Sequence, residues 1–424
     1  MSWTLGALPV LLLLLGFPVF IVLLAAAGAT LVLYMNVPLA ALQQTMFASV
    51  NVYALLALPF FIFAGEIMDR GDIANRLIDL VRACIGRVPG KLPLTAVGTG
   101  AIFGAISGVG AASVATVGKV MYPPMARAGY KDDFSSGLLV SVGAVGVILP
   151  PSIPMIVYAA AADQSIPRLY AAGIGPGVLI VALLALYCMW KGRSHPGDEA
   201  GRITLRGFAG AFGRGIWALG VPAVIIGGIY GGVFSPTEAA AAACLYAILA
   251  TVLGMRTLDM RGVFEAAVST VRFSAQILVI VACAGVFSWV ITVNQVPASL
   301  VGWIAQADLP AWQLLLGINF LLLLVGCVLD PLSAILLLTP LLVPLTTAAG
   351  IDPVHFGMIL TFNLAIGLFT PPFGINIFVM QSLFQTPLKV IYRGVMPYVL
   401  LYLFALALVT YVPAISQIGI DLLM

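Results

Sequence analysis

Long apolar segments, interrupted only by short polar turns, run through nearly all of this 424-residue chain. About 20 apolar residues are enough to cross a bilayer as an α-helix. On this pattern we predict crossings at residues 3–15, 17–34, 48–68, 133–163, 168–190, 216–232, 236–254, 273–292, 354–384 and 388–412. The chain is therefore predicted to be an all-α polytopic membrane protein with about ten transmembrane helices.

Two further apolar stretches, at about 93–126 and 311–346, are too long for one crossing and carry Gly, Ser and Pro in the middle. Such breaks are tolerated at membrane depth only where the backbone is buried in protein or lines a cavity. We predict that each stretch forms a re-entrant helical hairpin, which enters and returns on one side.

Composition agrees with a membrane protein, because 62% of the residues are hydrophobic and only 8% are charged. Soluble domains are about one quarter charged. The first apolar stretch lacks a basic flank and is expected to stay in the mature protein. The five cysteines and two histidines are scattered, which argues against a disulfide framework, a metal cluster, an organic cofactor site or a histidine-based active site. No basic run interleaved with aromatic residues suggests nucleic-acid binding.

The basic residues predict the orientation in the membrane. If the loop at 191–214 is cytoplasmic, 17 of the 19 Lys and Arg residues fall on the cytoplasmic side. This is a strong positive-inside bias, and it places both termini in the periplasm of a bacterial inner membrane. Segment 69–92 alternates charged and apolar residues at helical spacing, which favours an amphipathic surface helix over a solvated loop.

The second half of the chain repeats the first at an offset of 221 residues. Seven Gly or Pro positions between 123 and 176 recur between 344 and 397, whereas composition alone predicts about one coincidence. We therefore predict two repeats, residues 1–200 and 201–424, joined by a linker in 191–215. Each repeat holds five predicted crossings, an odd number, so the two repeats are expected to be inverted in the membrane.

The motifs "GAVGVILPPSIP" (143–154) and "LAIGLFTPPFGIN" (364–376) break a predicted helix in each repeat. Proline leaves carbonyl groups without partners inside the helix, and these need a cation or a buried polar group. Broken helices in inverted repeats are typical of ion-coupled secondary transporters. A simple kink packed against neighbouring helices is the alternative interpretation.

The predicted hairpin tips add hydroxyl ligands suited to Na⁺. One candidate Na⁺ site combines the hydroxyls of Ser107, Ser113 and Thr116 with carbonyls near Gly143, Gly146 and Pro150. The other combines Asp330, Ser333 and Thr370 with carbonyls near Gly367. Ser and Thr in apolar helices also commonly bond back to their own helix, so each single hydroxyl remains open.

Three charged residues lie within or beside apolar segments. Asp330 is a functional candidate because a carboxylate at membrane depth is costly, but it can also cap a helix that begins at Pro331. Glu238 is interpreted as a structural carboxylate at a helix start. Lys119 is expected to pair with a carboxylate or to extend to the surface.

Seven segments stand out by their residues and their order along the chain: "LALPFFIFAGEIMDRG", "GAISGVGAASVATVG", "MYPPMARAGY", "GVILPPSIPMIVY", "FSPTEAAA", "LDPLSAILLLTPLLVPL" and "GLFTPPFGINIFV". Together they resemble the large membrane subunit of tripartite ATP-independent periplasmic (TRAP) transporters. The resemblance runs from end to end. It implies an elevator-type transport domain, built from hairpins and broken helices, that moves against a scaffold. It also implies coupling to Na⁺, a separate four-helix membrane subunit, a periplasmic binding protein and a small organic acid as cargo.

The resemblance also assigns residues. It implies Na⁺-binding regions at Ser107, Gly143, Gly146 and Pro150 in the first repeat, and at Gly326, Asp330, Gly367 and Thr370 in the second. The first tip, "SGVGAAS", is poorer in hydroxyls than is common in the family. Neither tip carries an arginine, so an anion would depend on helix N-termini, hydroxyls and amides. The candidate substrate contacts are Ser113, Ser152, Asp330 and Asn376.

Three other functions are considered. A stand-alone ion-coupled anion carrier would share the architecture but need no other subunit. An intramembrane enzyme is disfavoured because paired catalytic carboxylates and a Ser/His arrangement are missing. A passive channel is disfavoured because paired hairpins and inverted breaks suit alternating access.

Overall fold

The computed structural model describes residues 3–35, 37–86, 88–193, 205–306 and 309–424, and these residues form helices joined by short turns. The predicted all-α class is thus confirmed. Residues 194–204 of the predicted linker, including His195, lie outside the described residues. The α-helices are α1 Leu8–Leu14, α2 Val19–Tyr34, α3 Leu39–Val50, α4 Ala57–Arg70, α5 Ile73–Ile85, α6 Lys91–Ser107, α7 Gly110–Arg127, α8 Asp132–Ile148, α9 Ile153–Ala161, α10 Ile166–Gly192, α11 Leu205–Tyr230, α12 Pro236–Ile248, α13 Met260–Val293, α14 Val296–Gln306, α15 Ala311–Gly326, α16 Pro331–Ala348, α17 Pro353–Gly367, α18 Ile375–Phe384, α19 Leu388–Tyr411 and α20 Ala414–Leu423.

Five described helical segments are long and apolar enough to cross a membrane, or seven if each of two bent pairs counts as one span. Others are apolar but shorter, at 10–17 residues, because breaks divide several predicted crossings. Predicted crossing 133–163, for example, is the pair α8 and α9, bent by 41°. The figure of ten crossings stays a prediction.

Three helices were not predicted from the sequence, namely α3, α14 and α20. Each is only 10 to 12 residues long, well below the length of a full crossing, so the hydrophobic pattern did not reveal them. The predicted amphipathic helix is present as α5. Its apolar side chains, such as Leu77 and Val81, are buried because α5 packs against α6 and α11.

Helices α6–α10 and α15–α19 share one order and nearly one spacing. Helix α7 begins at Gly110 and α16 at Pro331, while α8 begins at Asp132 and α17 at Pro353, an interval of 221 residues in both pairs. Packing is also reciprocal, since α8 contacts α19 as α17 contacts α10, and α7 contacts α18 as α16 contacts α9. The two sets of helices are therefore intertwined. Their opposite orientation in the membrane stays a prediction.

Glycine allows the closest of these contacts, between α8 and α19. A Cβ atom on Gly394 would lie 2.0 Å from the carbonyl oxygen of Asp133, so only glycine fits. On the same contact, the buried hydroxyl of Tyr402 donates to the carbonyl oxygen of Ser141 at 2.7 Å. A buried tyrosine hydroxyl usually finds such a partner, which ties the two repeats together at this point.

Glu238 has the structural role that the sequence predicts. Its carboxylate accepts a hydrogen bond from the backbone N–H of Ser235 at 2.8 Å, and the Ser235 hydroxyl accepts one from the Glu238 N–H. This reciprocal capping box begins α12. We expect Ser235→Ala to lower stability by about 1 kcal/mol and leave uptake unchanged, as measured by thermal unfolding and transport of the purified protein. A loss of uptake at full stability would contradict the structural assignment.

Candidate functional site

The first hairpin packs its tip against the first helix break. Helix α6 ends at Ser107 and α7 begins at Gly110, with Gly108 between them at a φ of 62°, which favours glycine. Behind the tip, a Cβ atom on Gly146 of α8 would lie 2.4 Å from the Cα atom of Gly104. The two backbones touch, which fixes the tip beside the break that follows α8.

The second hairpin meets the second break in the same way. A Cβ atom on Gly367, the last residue of α17, would lie 2.3 Å from the carbonyl oxygen of Gly326, the last residue of α15. The sequence-predicted pair Gly326 and Gly367 is therefore brought together. The Pro150–Pro151 and Pro371–Pro372 peptide bonds, one in each break, are both cis.

A cavity of about 290 Å³, here called the central cavity, lies where both tips and both breaks meet α13. The first residues of α7, α9, α16 and α18 line it, so four helix N-termini border the same space. A helix N-terminus carries partial positive charge and free N–H groups, which favour an anion. The lining residues are Gly108, Val109, Gly110, Ala111, Val147, Ile153, Pro154, Phe273, Gln276, Ile277, Ile280, Asp330, Pro331, Leu332, Leu368 and Ile375.

Asp330 is the charged side chain on the described lining of this cavity. Its carboxylate also accepts a hydrogen bond from the backbone N–H of Ser333 at 3.1 Å and so caps α16. The two interpretations made from the sequence, a carboxylate at the site and a helix cap, are therefore compatible.

Asn376 lies behind the first tip rather than on the cavity lining. It is fully buried, and its Nδ2 donates to the carbonyl oxygen of Val140 at 3.1 Å. Its Oδ1 has no hydrogen-bond partner among the described residues. A Cβ atom on Gly110 would lie 3.1 Å from the Gly143 carbonyl oxygen and 3.4 Å from this Oδ1, so two oxygen atoms converge on the tip.

The tip hydroxyls are turned towards one another and the backbone. The Ser107 and Ser113 hydroxyl oxygens lie 3.4 Å apart, and Ser113 donates to the carbonyl oxygen of Val109 at 3.3 Å. Thr116, which the sequence grouped with them, instead donates to the carboxylate of Asp69 on α4. The first hydroxyl set is thus brought together only in part.

Ser152 and Thr370, one in each break, bond back to the helices that precede the breaks, α8 and α17. The Ser152 hydroxyl is fully buried and donates to the carbonyl oxygen of Val147. The Thr370 hydroxyl donates to the carbonyl oxygen of Ile366 at 2.7 Å. Neither residue lines the central cavity. The Ser333 hydroxyl, by contrast, is buried without a partner among the described residues.

Sequence reasoning missed the wall that α13 contributes, including Phe273 and Gln276. The segment was interpreted as an ordinary crossing because its apolar residues are continuous. Gln276 was the available signal, since a polar side chain within a membrane segment is costly and points to a site.

Comparisons with known proteins agree with this architecture. The sequence model described as "Tripartite ATP-independent periplasmic transporter, DctM component" matches residues 6–415. The chain is 35% identical to the C4-dicarboxylate TRAP transporter large permease protein of Pseudomonas aeruginosa, covering 93% of this chain and 92% of the relative. It is 38% identical to the ectoine/5-hydroxyectoine large permease protein of Ruegeria pomeroyi, covering 100% and 99%.

Two further comparisons differ in length or in sequence. The chain is 38% identical to the isethionate TRAP transporter permease protein of Oleidesulfovibrio alaskensis over 96% of this chain, but this match spans 64% of that longer relative. The YdaH transporter of Alcanivorax borkumensis shares the fold with a TM-score of 0.69 at 16% identity, covering 97% of this chain and 98% of that one. The end-to-end family match and the high identity to several permeases show that this chain belongs to the DctM family of TRAP transporter large permease proteins.

Proposed function

We propose that this chain imports a small organic acid across the bacterial inner membrane, coupled to Na⁺ and by an elevator movement of its hairpins and broken helices. Both termini face the periplasm in this proposal. A small membrane subunit completes the transporter, and a periplasmic binding protein delivers the acid. The compounds named for the three permease relatives above include a dicarboxylate, a sulfonate and a carboxylate-bearing zwitterion, which supports an acid group as the shared feature.

The convergence of four helix N-termini on the central cavity is the observation that carries this proposal. Partial positive charges at α7, α9 and α18 suit an anion even without an arginine at the tips, whereas the carboxylate of Asp330 already caps α16. A cavity of about 290 Å³ is also the right scale for a small organic molecule. Its walls come from both hairpins, both breaks and α13, so movement of the hairpins relative to α13 would carry a bound molecule along.

Asp330 supports coupling to a cation. An anionic substrate beside an ionised carboxylate would be repelled at low dielectric, unless a cation lies between or beside them. Na⁺ takes oxygen ligands, and it would reduce this repulsion while it binds. The substrate and the ion are then expected to bind best together, which is the requirement for symport.

The convergence of oxygens near Asn376 supports a position for Na⁺ at the tip of the first hairpin. A buried amide oxygen without a partner costs free energy unless something satisfies it. We propose that Na⁺ binds there with the Asn376 Oδ1 and carbonyl oxygens near Gly110 and Gly143. Asn376 then acts as an ion ligand rather than the substrate contact expected from the sequence. In the second repeat, Asp330 and the hydroxyl of Ser333 are the corresponding candidates.

The test is uptake of radiolabelled succinate, isethionate and ectoine into proteoliposomes that hold this chain with its small subunit and binding protein. Uptake of at least one compound is expected only when all three proteins and an inward Na⁺ gradient are present. Uptake by this chain alone would contradict the tripartite assembly and favour a stand-alone carrier. Uptake that ignores the Na⁺ gradient would contradict the coupling.

A further inference from the structure

Phe273 of α13 lies where three cavities meet. It lines the central cavity, a second cavity of about 490 Å³ here called the vestibule, and a third of about 130 Å³ here called the acidic cavity. Its half-buried ring therefore separates the central cavity from two different neighbouring spaces. A substrate that moves from the central cavity into either neighbouring space along α13 would contact this side chain.

Among the residues that the structure describes, one cation on the vestibule lining, Arg272, has no carboxylate as an ion-pair partner. The charged residues on this lining are Arg70, Glu265 and Arg272. The Arg70 guanidinium pairs with Glu66 at 3.4 Å and with Glu265 at 3.2 Å, and Glu265 also contacts Arg261 at 3.6 Å. Arg272 is exposed and has no ion-pair partner among the described residues. It is thus free to bind an anion.

Polar residues connect this cation to the central cavity. Ser269, Arg272 and Gln276 follow one another at intervals of three and four residues, which places them on one face of α13. Gln276 lines both the vestibule and the central cavity. The amide N–H groups of Gln276 could bind an acid group from the side of the central cavity. Arg272 lies about one helical turn away, on the vestibule side.

The acidic cavity is unsuited to an anion. Its lining includes Glu66 and Asp69 of α4 and no basic residue among those described. Glu66 is paired with Arg70, but Asp69 has no ion-pair partner among the described residues, so its carboxylate repels an anion that enters this cavity, whereas Arg272 attracts one. An anion at Phe273 therefore has a favourable route only into the vestibule.

We propose that the vestibule holds a second, transient binding station for the transported acid, with Arg272 as its anion-binding residue and Gln276 as the contact that links it to the central cavity. The ligand class is a carboxylate or sulfonate. Arg272 thereby supplies the positive charge that the hairpin tips lack. Because the basic ends of α4 and α13 are predicted to be cytoplasmic, the station serves release into the cell. This inference rests on the proposed function in that the cargo is an acid.

The test compares half-saturating substrate concentrations on the two faces of the complete transporter in proteoliposomes. The probe is whichever of succinate, isethionate or ectoine the wild-type protein transports. Arg272→Gln is expected to raise the half-saturating concentration on the vestibule face about tenfold, because a charged hydrogen bond to the acid is lost. The half-saturating concentration on the opposite face should stay unchanged. Arg272→Lys keeps the positive charge and should retain most of the wild-type affinity on the vestibule face.

Arg127→Gln is the matched control, since Arg127 is an exposed arginine near the end of α7 that has no ion-pair partner among the described residues and does not line the vestibule. This variant should leave the half-saturating substrate concentration unchanged on both faces. Arg272 is itself exposed, so its variants should fold, which gel filtration checks. If the wild type transports an acid and Arg272→Gln has the wild-type half-saturating concentration on the vestibule face, the inference about Arg272 is overturned while the proposed function stands. If the wild type transports none of the three compounds, the proposed function fails and this inference fails with it.

Discussion

Gly146→Ala should abolish uptake, because one added methyl group would separate the first hairpin tip from the first break. The new Cβ atom would lie 2.4 Å from the Cα atom of Gly104, and backbone atoms of two packed helices cannot move aside as a flexible side chain could. Overpacking of this kind costs about 1–3 kcal/mol or more, against a gain of about 1 kcal/mol in helix propensity. The first hairpin tip would be displaced from the first break, and uptake in proteoliposomes should fall to background.

Gly317→Ala is the matched control for this change. Gly317 also lies inside a helix, α15, but a Cβ atom there would meet nothing within 4 Å. It should keep full uptake and gain slightly in thermal stability. Normal transport by Gly146→Ala would show that the hairpin and α8 do not need this close contact.

Asp330→Asn should reduce Na⁺-driven uptake by on the order of tenfold to a hundredfold while the protein stays folded. Asn caps a helix about as well as Asp, so the bond to the Ser333 N–H and the start of α16 survive. Only the negative charge on the central cavity is lost, and with it the attraction for a cation. The measurement is uptake against Na⁺ concentration, combined with thermal unfolding.

Two other variants separate charge from capping. Asp352 caps α17 by accepting from the N–H groups of Val354 and His355, both at 2.9 Å, but it does not line the central cavity. Asp352→Asn should therefore leave both uptake and stability unchanged. Asp330→Ala should lose uptake and also about 1 kcal/mol of stability. Equal Na⁺ dependence in Asp330→Asn and the wild type would refute a role for this carboxylate in coupling.

The positions of the helix breaks could be predicted, because proline and glycine act on the backbone locally. Pro-Pro disfavours a continuing α-helix, and "ILPPS" and "FTPPF" mark the ends of α8 and α17, whereas the Pro123–Pro124 pair lies inside α7. The role of Asp330 as a helix cap was also readable, since Asp before Pro is a local signal for a helix start. The all-helical class followed from hydrophobic segments that have no alternative in lipid.

Individual site contacts could not be predicted, because the direction of a side chain depends on neighbours that are distant in sequence. The sequence predicts that Ser152, which follows a break, faces the substrate, yet its hydroxyl donates to the carbonyl oxygen of Val147. The sequence groups Thr116 with the first tip, but its hydroxyl donates to the carboxylate of Asp69, 47 residues away. A buried hydroxyl takes the nearest acceptor, and only the packed structure determines which acceptor that is.

By itself, the sequence determined the helical class, the membrane environment, the two helix breaks and the family likeness, since each depends on local backbone chemistry, on composition or on residues in order. Only the tertiary structure decided that four helix N-termini meet at one cavity and that α13 forms another of its walls. It also decided that Arg272 lines the adjacent vestibule with no ion-pair partner among the described residues. These features join residues as far apart as Gly108 and Ile375. Such convergence comes from helix packing, where close Gly–Gly contacts between non-adjacent helices set the distances between them. The order of residues along the chain does not contain these distances.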